Sequence, residues 1–174
     1  MNILILFATC EGQTRKIAEF VQKEAVSHGH QPRLVDLSEQ AVSVSFEDVD
    51  SVVLAAPVHE RRHPKPFETF VAQSRDQLAG CRTLLLSVGL NVAFPDVSAE
   101  AQEYVTEMIM RTGFTPDQVA LVAGAVRNQN YDYLDQLVMR LVILRDQDFD
   151  PRDGDREFTD WDALATTLSD FFAQ

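Results

Sequence analysis

Cysteine is scarce in this chain: among 174 residues there are only two, Cys10 and Cys81. They form no CxxC spacing and have no histidine cluster beside them, so the sequence predicts no metal site. An apolar run long enough to cross a bilayer is also lacking. Met1 leads directly into a strand-like segment, without a charged-then-apolar leader. Together these absences predict a cytoplasmic protein in a reducing environment.

Positive charge is in short supply as well. The chain has 15 Lys and Arg against 27 Asp and Glu, which gives a net charge of −12. This argues against nucleic-acid binding, which needs clustered cations to displace the counterions of phosphate. It also weakens broad adhesion to an anionic membrane surface. Solubility alone explains the acidity. With 45% hydrophobic residues, the chain can bury the core of a single domain, residues 1–174.

Short apolar runs alternate along the chain with amphipathic segments. The first run, 2–8, is apolar at successive positions, which is typical of a strand in a buried parallel sheet. This alternation predicts an α/β fold with a doubly wound, five-stranded parallel sheet and helices on both faces. The predicted strands are 2–8, 33–37, 51–56, 83–88 and 119–123, and the predicted helices are 13–28, 67–78, 99–112, 131–144 and 160–172.

Ligands of such sheets bind at the carboxyl ends of the strands, near the switch in strand order. We therefore expect the site at the loops that follow Ala8, Ala56 and Val88. One connection does not fit the plain pattern, because residues 127–158 far exceed the usual length of about 2–6 residues. This stretch is predicted to be an insertion that contains one helix and then an acidic, turn-rich segment.

The loop from Thr9 to Thr14 (TCEGQT) joins the first strand to the first helix. Backbone N–H groups converge at such a junction, and the helix dipole favours an anion there. Gly12 lets the backbone approach a phosphate closely. A Walker lysine and a GxGxxG motif are both lacking, so a monophosphate held by neutral donors fits best. A turn in which Thr14 merely caps the helix is the alternative, and local chemistry leaves both open.

The segment from Leu4 to Ala18 (LILFATCEGQTRKIA) closely resembles the phosphate-binding signature of flavodoxins. It has the apolar strand, an aromatic residue, the two spaced threonines with a small residue between them, and an alanine four positions later. The resemblance implies that the chain binds FMN non-covalently and uses it for redox chemistry.

The resemblance extends over nearly the whole chain and narrows to one group, the menaquinone-dependent protoporphyrinogen oxidases of haem synthesis. It is carried by Val122–Arg127, the pair Tyr131 and Tyr133, the helix 134–144 and the closing Phe158–Trp161. That family has a helical insertion where this chain has its long connection. Membership implies oxidation of protoporphyrinogen IX, with electrons passing to a quinone. It also implies a peripheral place on the cytoplasmic face of the inner membrane.

The resemblance also implies which residues contact the ligands. The flavin ring is expected between the loops Pro57–Pro66 and Gly89–Pro95, and the basic residues of the first loop suit the propionates of a porphyrinogen. A solvated basic loop that balances acidic neighbours is the alternative. The expected cofactor contacts are Thr9, Cys10, Glu11, Gly12, Gln13, Thr14, Pro57, Val58, His59, Glu60, Arg61, Gly89, Leu90, Asn91 and Phe94, and the substrate candidates are Arg61, Arg62, His63 and Arg127.

Two departures from the family pattern keep other functions open. Glu60-Arg61 stands where the family more typically has an aromatic residue and a glycine, and the loop after Leu90 lacks a Lys/Arg cluster. A flavodoxin-type electron carrier, or a binding domain that no longer turns over, are the alternatives. The apolar face within 131–145 predicts core packing or a homodimer interface. A membrane-surface helix is less favoured there, because such a helix usually carries more basic residues.

Overall fold

The computed structural model describes residues 1–38, 42–94, 98–126 and 155–173. Their centre is a five-stranded parallel sheet in the order β2-β1-β3-β4-β5. This is the order of flavodoxin-like doubly wound sheets, whose switch point lies between β1 and β3. The strands are β1 (Asn2–Phe7), β2 (Gln31–Asp36), β3 (Ser51–Pro57), β4 (Arg82–Gly89) and β5 (Gln118–Ala123).

Five helices accompany the sheet in the described ranges, and a short 3-10 turn, Leu90–Ala93, follows β4. A two-stranded antiparallel ribbon joins β6 (Ala125–Val126) to β7 (Arg156–Glu157). This ribbon brings together the two ends of the long connection. The helices are α1 (Gln13–Ser27), α2 (Lys65–Gln73), α3 (Arg75–Leu78), α4 (Ser98–Thr112) and α5 (Trp161–Phe172).

Both faces of the sheet are covered, because alternate residues of each buried strand belong to different cores. Ile5 packs with α1 and α5, whereas Leu6 packs with α2, α3 and α4. Burial on both sides is the reason these strands are apolar at successive positions rather than at every second one. Among the described residues, none of the helices is long and apolar enough to span a bilayer.

The predicted architecture is confirmed: the sheet is parallel, five-stranded and covered by helices on both faces. One predicted helix, 67–78, is instead two, because Ser74 leaves the helical conformation at φ −103° and ψ 12°. Gly29 and Gly113, just beyond the ends of α1 and α4, have φ of 77° and 67°, a region that favours glycine. The predicted helix 131–144 lies outside the described residues.

The N-terminus of α5 is fixed by a side-chain cap. The carboxylate of Asp160 accepts a hydrogen bond of 2.9 Å from the N–H of Ala163. We predict that Asp160→Ala lowers the free energy of unfolding by about 1 kcal/mol, measured by urea denaturation. Asp170→Asn is the matched control. It removes a carboxylate from the last turn of the same helix, where the dipole disfavours negative charge. Equal losses in the two variants would contradict the capping argument.

Candidate functional site

The loop between β1 and α1 has the geometry of an anion site. Gly12 is the residue before α1 and has φ 89°, and a side chain added there would meet open space. Its N–H donates to Thr9 Oγ1 at 2.9 Å, which closes the loop on itself. The first turn of α1 contains no acidic residue. The partial positive charge of the helix N-terminus is therefore not compensated by a carboxylate of that turn.

The loop after β2 is hydrogen-bonded to the start of the loop between β1 and α1. Ser38 Oγ accepts a hydrogen bond of 3.0 Å from the N–H of Thr9, and Asp36 Oδ1 accepts one of 2.8 Å from the N–H of Ser38. Sequence reasoning expected three loops at the site and missed this fourth one. The signal that could have found it is the position of β2, which lies next to β1 in any sheet of this order.

The basic side chains of the first turn of α1 are held by carboxylates. Arg15 pairs with Asp36 at 2.5 Å, and Lys16 pairs with Glu157 at 2.6 Å. An anion in the loop would therefore be bound chiefly by backbone N–H groups and hydroxyls, as the sequence predicts. Burial and the neighbouring charge of Glu11 raise the pKa of the Cys10 thiol, which disfavours the thiolate.

The loop after β3 makes a tight two-residue turn. His59 and Arg62 exchange backbone hydrogen bonds of 2.9 and 3.0 Å, and the two residues between them, Glu60 and Arg61, have φ of 49° and 65°. Two successive positive φ values define a type I′ turn, which normally has glycine or asparagine at these positions. The backbone at Arg61 thus has the conformation that glycine favours, and Arg61 stands where the family pattern more typically has glycine.

The basic residues of this loop have different surroundings. Arg62 donates to the buried Glu68 carboxylate from Nε at 3.0 Å and from Nη2 at 2.6 Å. The guanidinium of Arg61 is exposed and lies 5.7 Å from the ring centroid of Tyr104 in α4. Within the described ranges, Arg61 has no ion-pair partner. Of the predicted substrate contacts, Arg61 is thus the most available, while Arg127 lies outside the described residues.

Glu68 is a site residue that sequence reasoning missed. Only 4% of its surface is exposed, and besides Arg62 it binds Arg111 of α4, whose Nη2 donates to Oε1 at 2.8 Å. Burial alone would raise the pKa of Glu68, but the two arginines outweigh it and the pKa lies below its ordinary value. This carboxylate ties the loop after β3 to α2 and α4. In the sequence, Glu68 is simply an acidic residue in the first turn of a helix, where interaction with the helix dipole is enough to explain it. Nothing in that context marks it as part of a site.

His63 is buried beneath the same loop, with 1% of its surface exposed. Its Nε2 lies 3.0 Å from Ser87 Oγ, whereas Nδ1 has no hydrogen-bond partner among the described residues. Burial lowers the pKa of His63 to about 4. The nearby charge of Glu68 acts to raise this pKa, and the charge of Arg111 acts to lower it. The ring is therefore neutral at pH 7 and faces the interior rather than solvent.

The loop after β4 supplies the other side of the site. A side chain added at Gly89 would come within 2.6 Å of Asn91 Oδ1, so the backbone and Asn91 are in close approach. The Nδ2 of Asn91 is buried and lacks an acceptor within the part of the chain that is described. Phe94 is buried and packs edge-on against Phe158 at 5.5 Å between ring centroids. Tyr131, one of the residues that carry the family resemblance, lies outside the described residues.

A flavodoxin domain model matches residues 4–151 of this sequence, which is most of the chain. The chain belongs to the flavodoxin domain family. Among curated relatives, protoporphyrinogen IX dehydrogenase [quinone] from Escherichia coli (strain K12) is 26% identical over 166 residues, with 95% of this chain and 91% of the relative covered. The protein of the same name from Leishmania major is 22% identical, with 98% of this chain and 74% of the relative covered.

Solved structures agree with the family assignment at the level of fold. Oxidised flavodoxin 1 from Bacillus cereus superposes with a TM-score of 0.59 at 13% identity, covering 100% of this chain and 99% of that one. A flavoprotein in complex with FMN from Lactobacillus acidophilus gives a TM-score of 0.51 at 16% identity, covering 69% and 92%. In this flavodoxin domain the loops after β1, β3 and β4 therefore occupy the position expected for the ligand site.

The type I′ turn of this flavodoxin domain offers a test of backbone strain. We predict that Glu60→Gly raises the free energy of unfolding by about 0.5–1 kcal/mol, because glycine adopts positive φ freely and this gain exceeds its added chain entropy. Glu60→Ala is the matched control, since it removes the same side chain but keeps a Cβ at φ 49°. Equal stabilisation by both variants would show that charge, not strain, is responsible. Urea denaturation of both variants measures the difference.

Burial of neutral His63 predicts a pH dependence of stability. Because its folded-state pKa is about 4 and its unfolded value about 6.5, the unfolded chain binds more protons between these values. Stability should therefore fall by roughly 3 kcal/mol as the pH drops from 6.5 to 4.

The test compares the free energy of unfolding against pH for the natural chain and His63→Gln. The variant should lose this part of the slope, because glutamine does not titrate. His28→Gln, which removes an exposed histidine at the end of α1, is the control. A slope that His63→Gln leaves intact would contradict the assignment.

Proposed function

We propose that this flavodoxin-family protein is an FMN-dependent oxidoreductase that oxidises protoporphyrinogen IX and passes the electrons to a quinone. The observation that carries the cofactor is the loop from Thr9 to Thr14, which combines two threonines, a glycine at φ 89° beside open space and the N-terminus of α1. The substrate rests on the names of the curated relatives and on the arginine exposed beside the site.

The residues present fit FMN at both ends of the molecule. Its phosphate suits the neutral donors of the loop after β1, and a phosphate oxygen would accept from backbone N–H groups there. Its ring carries acceptor oxygens, and Asn91 Nδ2 is a buried donor that the described protein atoms leave without an acceptor. A buried donor of this kind costs free energy until a partner accepts from it, so a bound ring would gain this interaction.

FMN supplies the redox chemistry when it is bound, and the protein positions it and sets its electrostatics. Gly89 and Asn91 hold one edge of the expected ring site, and the turn at Glu60 and Arg61 holds the other. The ion pairs of Glu68 with Arg62 and Arg111 keep this turn in place. Arg61 projects its guanidinium at the rim, where it would pair with a propionate carboxylate of the porphyrinogen.

A flavodoxin-type electron carrier without porphyrinogen activity is the second candidate. The net charge of −12 favours it, because an acidic surface suits docking to basic redox partners. A carrier has no evident use for the long connection or for the basic loop. We therefore place the oxidoreductase first, at the cytoplasmic face of the membrane that holds its quinone. A homodimer through 131–145 is a further part of the proposal, and a peripheral membrane contact through the same residues is its less favoured alternative.

The first experiment is the absorbance spectrum of the protein after incubation with FMN and desalting. We expect a flavin spectrum at about one FMN per chain. Purified loaded protein should then convert protoporphyrinogen to protoporphyrin, followed by fluorescence, with a menaquinone analogue as acceptor. Arg61→Gln should keep its FMN but lower kcat/KM by roughly tenfold, the value of one charge-assisted hydrogen bond.

Arg75→Gln is the control, because it removes an exposed arginine whose partner is the neighbouring Asp76, away from the site. Protein that emerges from the column without flavin would overturn the cofactor. Retained flavin without porphyrinogen oxidation, together with reduction by a flavodoxin reductase, would favour the electron carrier.

A further inference from the structure

The side chain of Gln13 belongs to the predicted phosphate loop, yet it is bonded to a distant part of the chain. Gln13 is the first residue of α1 and is 5% exposed. Its Nε2 donates to Thr159 Oγ1 at 2.9 Å, and this hydroxyl donates in turn to the backbone carbonyl of Ala123 at 2.7 Å. The Thr159 hydroxyl thus accepts one bond and donates another, which fixes the direction of the whole chain of bonds.

A second link runs beside the first, one turn further along α1. Glu157 accepts from Lys16 at 2.6 Å through one oxygen and from Trp161 Nε1 at 2.8 Å through the other. The ammonium group of Lys16 also lies 5.1 Å from the ring centroid of Trp161, and this ring packs on Phe20 of α1. The segment from Glu157 to Trp161, which includes the last residues of the long connection, therefore lies along the first turns of α1.

The same segment reaches the loop after β4 on its other side. The N–H of Phe158 donates to the carbonyl of Gly124 at 3.0 Å, and the N–H of Gly124 donates to the carbonyl of Gly89 at 3.2 Å. The ring of Phe158 packs on Phe94. One short segment thus contacts both the loop expected to bind phosphate and the loop expected to flank the flavin ring.

We propose that Gln13 and Thr159 are positioning residues for the FMN phosphate: their hydrogen bond holds the first turn of α1 in the orientation in which the loop binds phosphate. The bond is buried at both ends, since Gln13 is 5% and Thr159 9% exposed, so little bulk water contacts it. Affinity for an anion at a helix N-terminus depends on convergent N–H groups that are already in place. Phosphate affinity therefore depends on the segment that closes the long connection.

This inference rests on the proposed FMN site, and its test separates the two. The measured quantity is the ratio of the Kd for riboflavin to the Kd for FMN, from fluorescence titration of the apoprotein. These ligands differ only in the phosphate, so the ratio isolates the phosphate loop. Gln13→Ala and Thr159→Val should each lower the ratio by about tenfold, with the Kd for riboflavin little changed. The side chain of Gln13 also bonds to Glu157, so the double variant should lose no more than Gln13→Ala alone, which already removes the bond to Thr159.

Matched controls exist on α1 and α5. Gln22→Ala shortens a glutamine of α1 that lies away from the loop, and Thr167→Val removes a hydroxyl that donates to the Ala163 carbonyl within α5. Both should leave the ratio unchanged. Thr159→Ser restores the hydroxyl and should restore the ratio. Should Thr159→Val fail to fold, Gln13→Ala and Thr159→Ser carry the test by themselves.

Two sets of results would overturn the proposals, and they are distinguishable. A natural chain that binds riboflavin as well as FMN, or neither, would overturn the FMN phosphate site itself. A natural chain that prefers FMN, with a Gln13→Ala variant of undiminished preference, would overturn only the positioning role. Equal losses of FMN and riboflavin affinity would also overturn it, because they would show a general structural effect.

Discussion

The parallel pairing of three buried strands determines where this protein can do chemistry. β1, β3 and β4 lie side by side, with Phe7 opposite Ala55 and Ala55 opposite Leu86, so their carboxyl ends reach the same edge of the sheet. Both faces of these strands are covered by helices, so their positions are fixed by packing on two sides. Loops of little regular structure can therefore hold polar groups at defined distances, because their ends are anchored in a rigid core.

Charge at this edge is arranged so that an acidic chain can still bind an anion. The cations close to the loop after β1, Arg15 and Lys16, are bound to carboxylates. Attraction for a phosphate then comes from N–H dipoles at the start of α1, which do not alter the net charge of −12. Such dipoles act over the first turn only, so they select an anion that fits the loop rather than any polyanion. Arg61, in the loop after β3, is by contrast an exposed cation beside Tyr104.

The sequence predicted the strands and helices well but not the side-chain hydrogen bonds between distant residues, and the reason is physical. Strand and helix positions follow from local periodicity, and the loop Thr9–Thr14 follows from a compact motif with fixed spacing. Arg111, one of the two partners of Glu68, lies 43 residues away from it, and Thr159, which bonds to Gln13, lies 146 residues away, so these partners depend on how helices pack. Burial of His63 was missed for the same reason: in the sequence it is one of several basic residues, and only the fold shows that its ring is turned inward.

The turn at Glu60 and Arg61 shows how a departure from the family pattern can coexist with the fold. Two residues with a Cβ at positive φ cost on the order of 1–2 kcal/mol each. The two backbone hydrogen bonds between His59 and Arg62, together with the ion pair of Arg62 with Glu68, offset part of this cost. What the turn has in place of the family glycine is an exposed guanidinium beside Tyr104. In a chain with 15 basic residues against 27 acidic ones, this exposed cation on a strained backbone is the structural feature on which the proposed pairing with a substrate carboxylate rests.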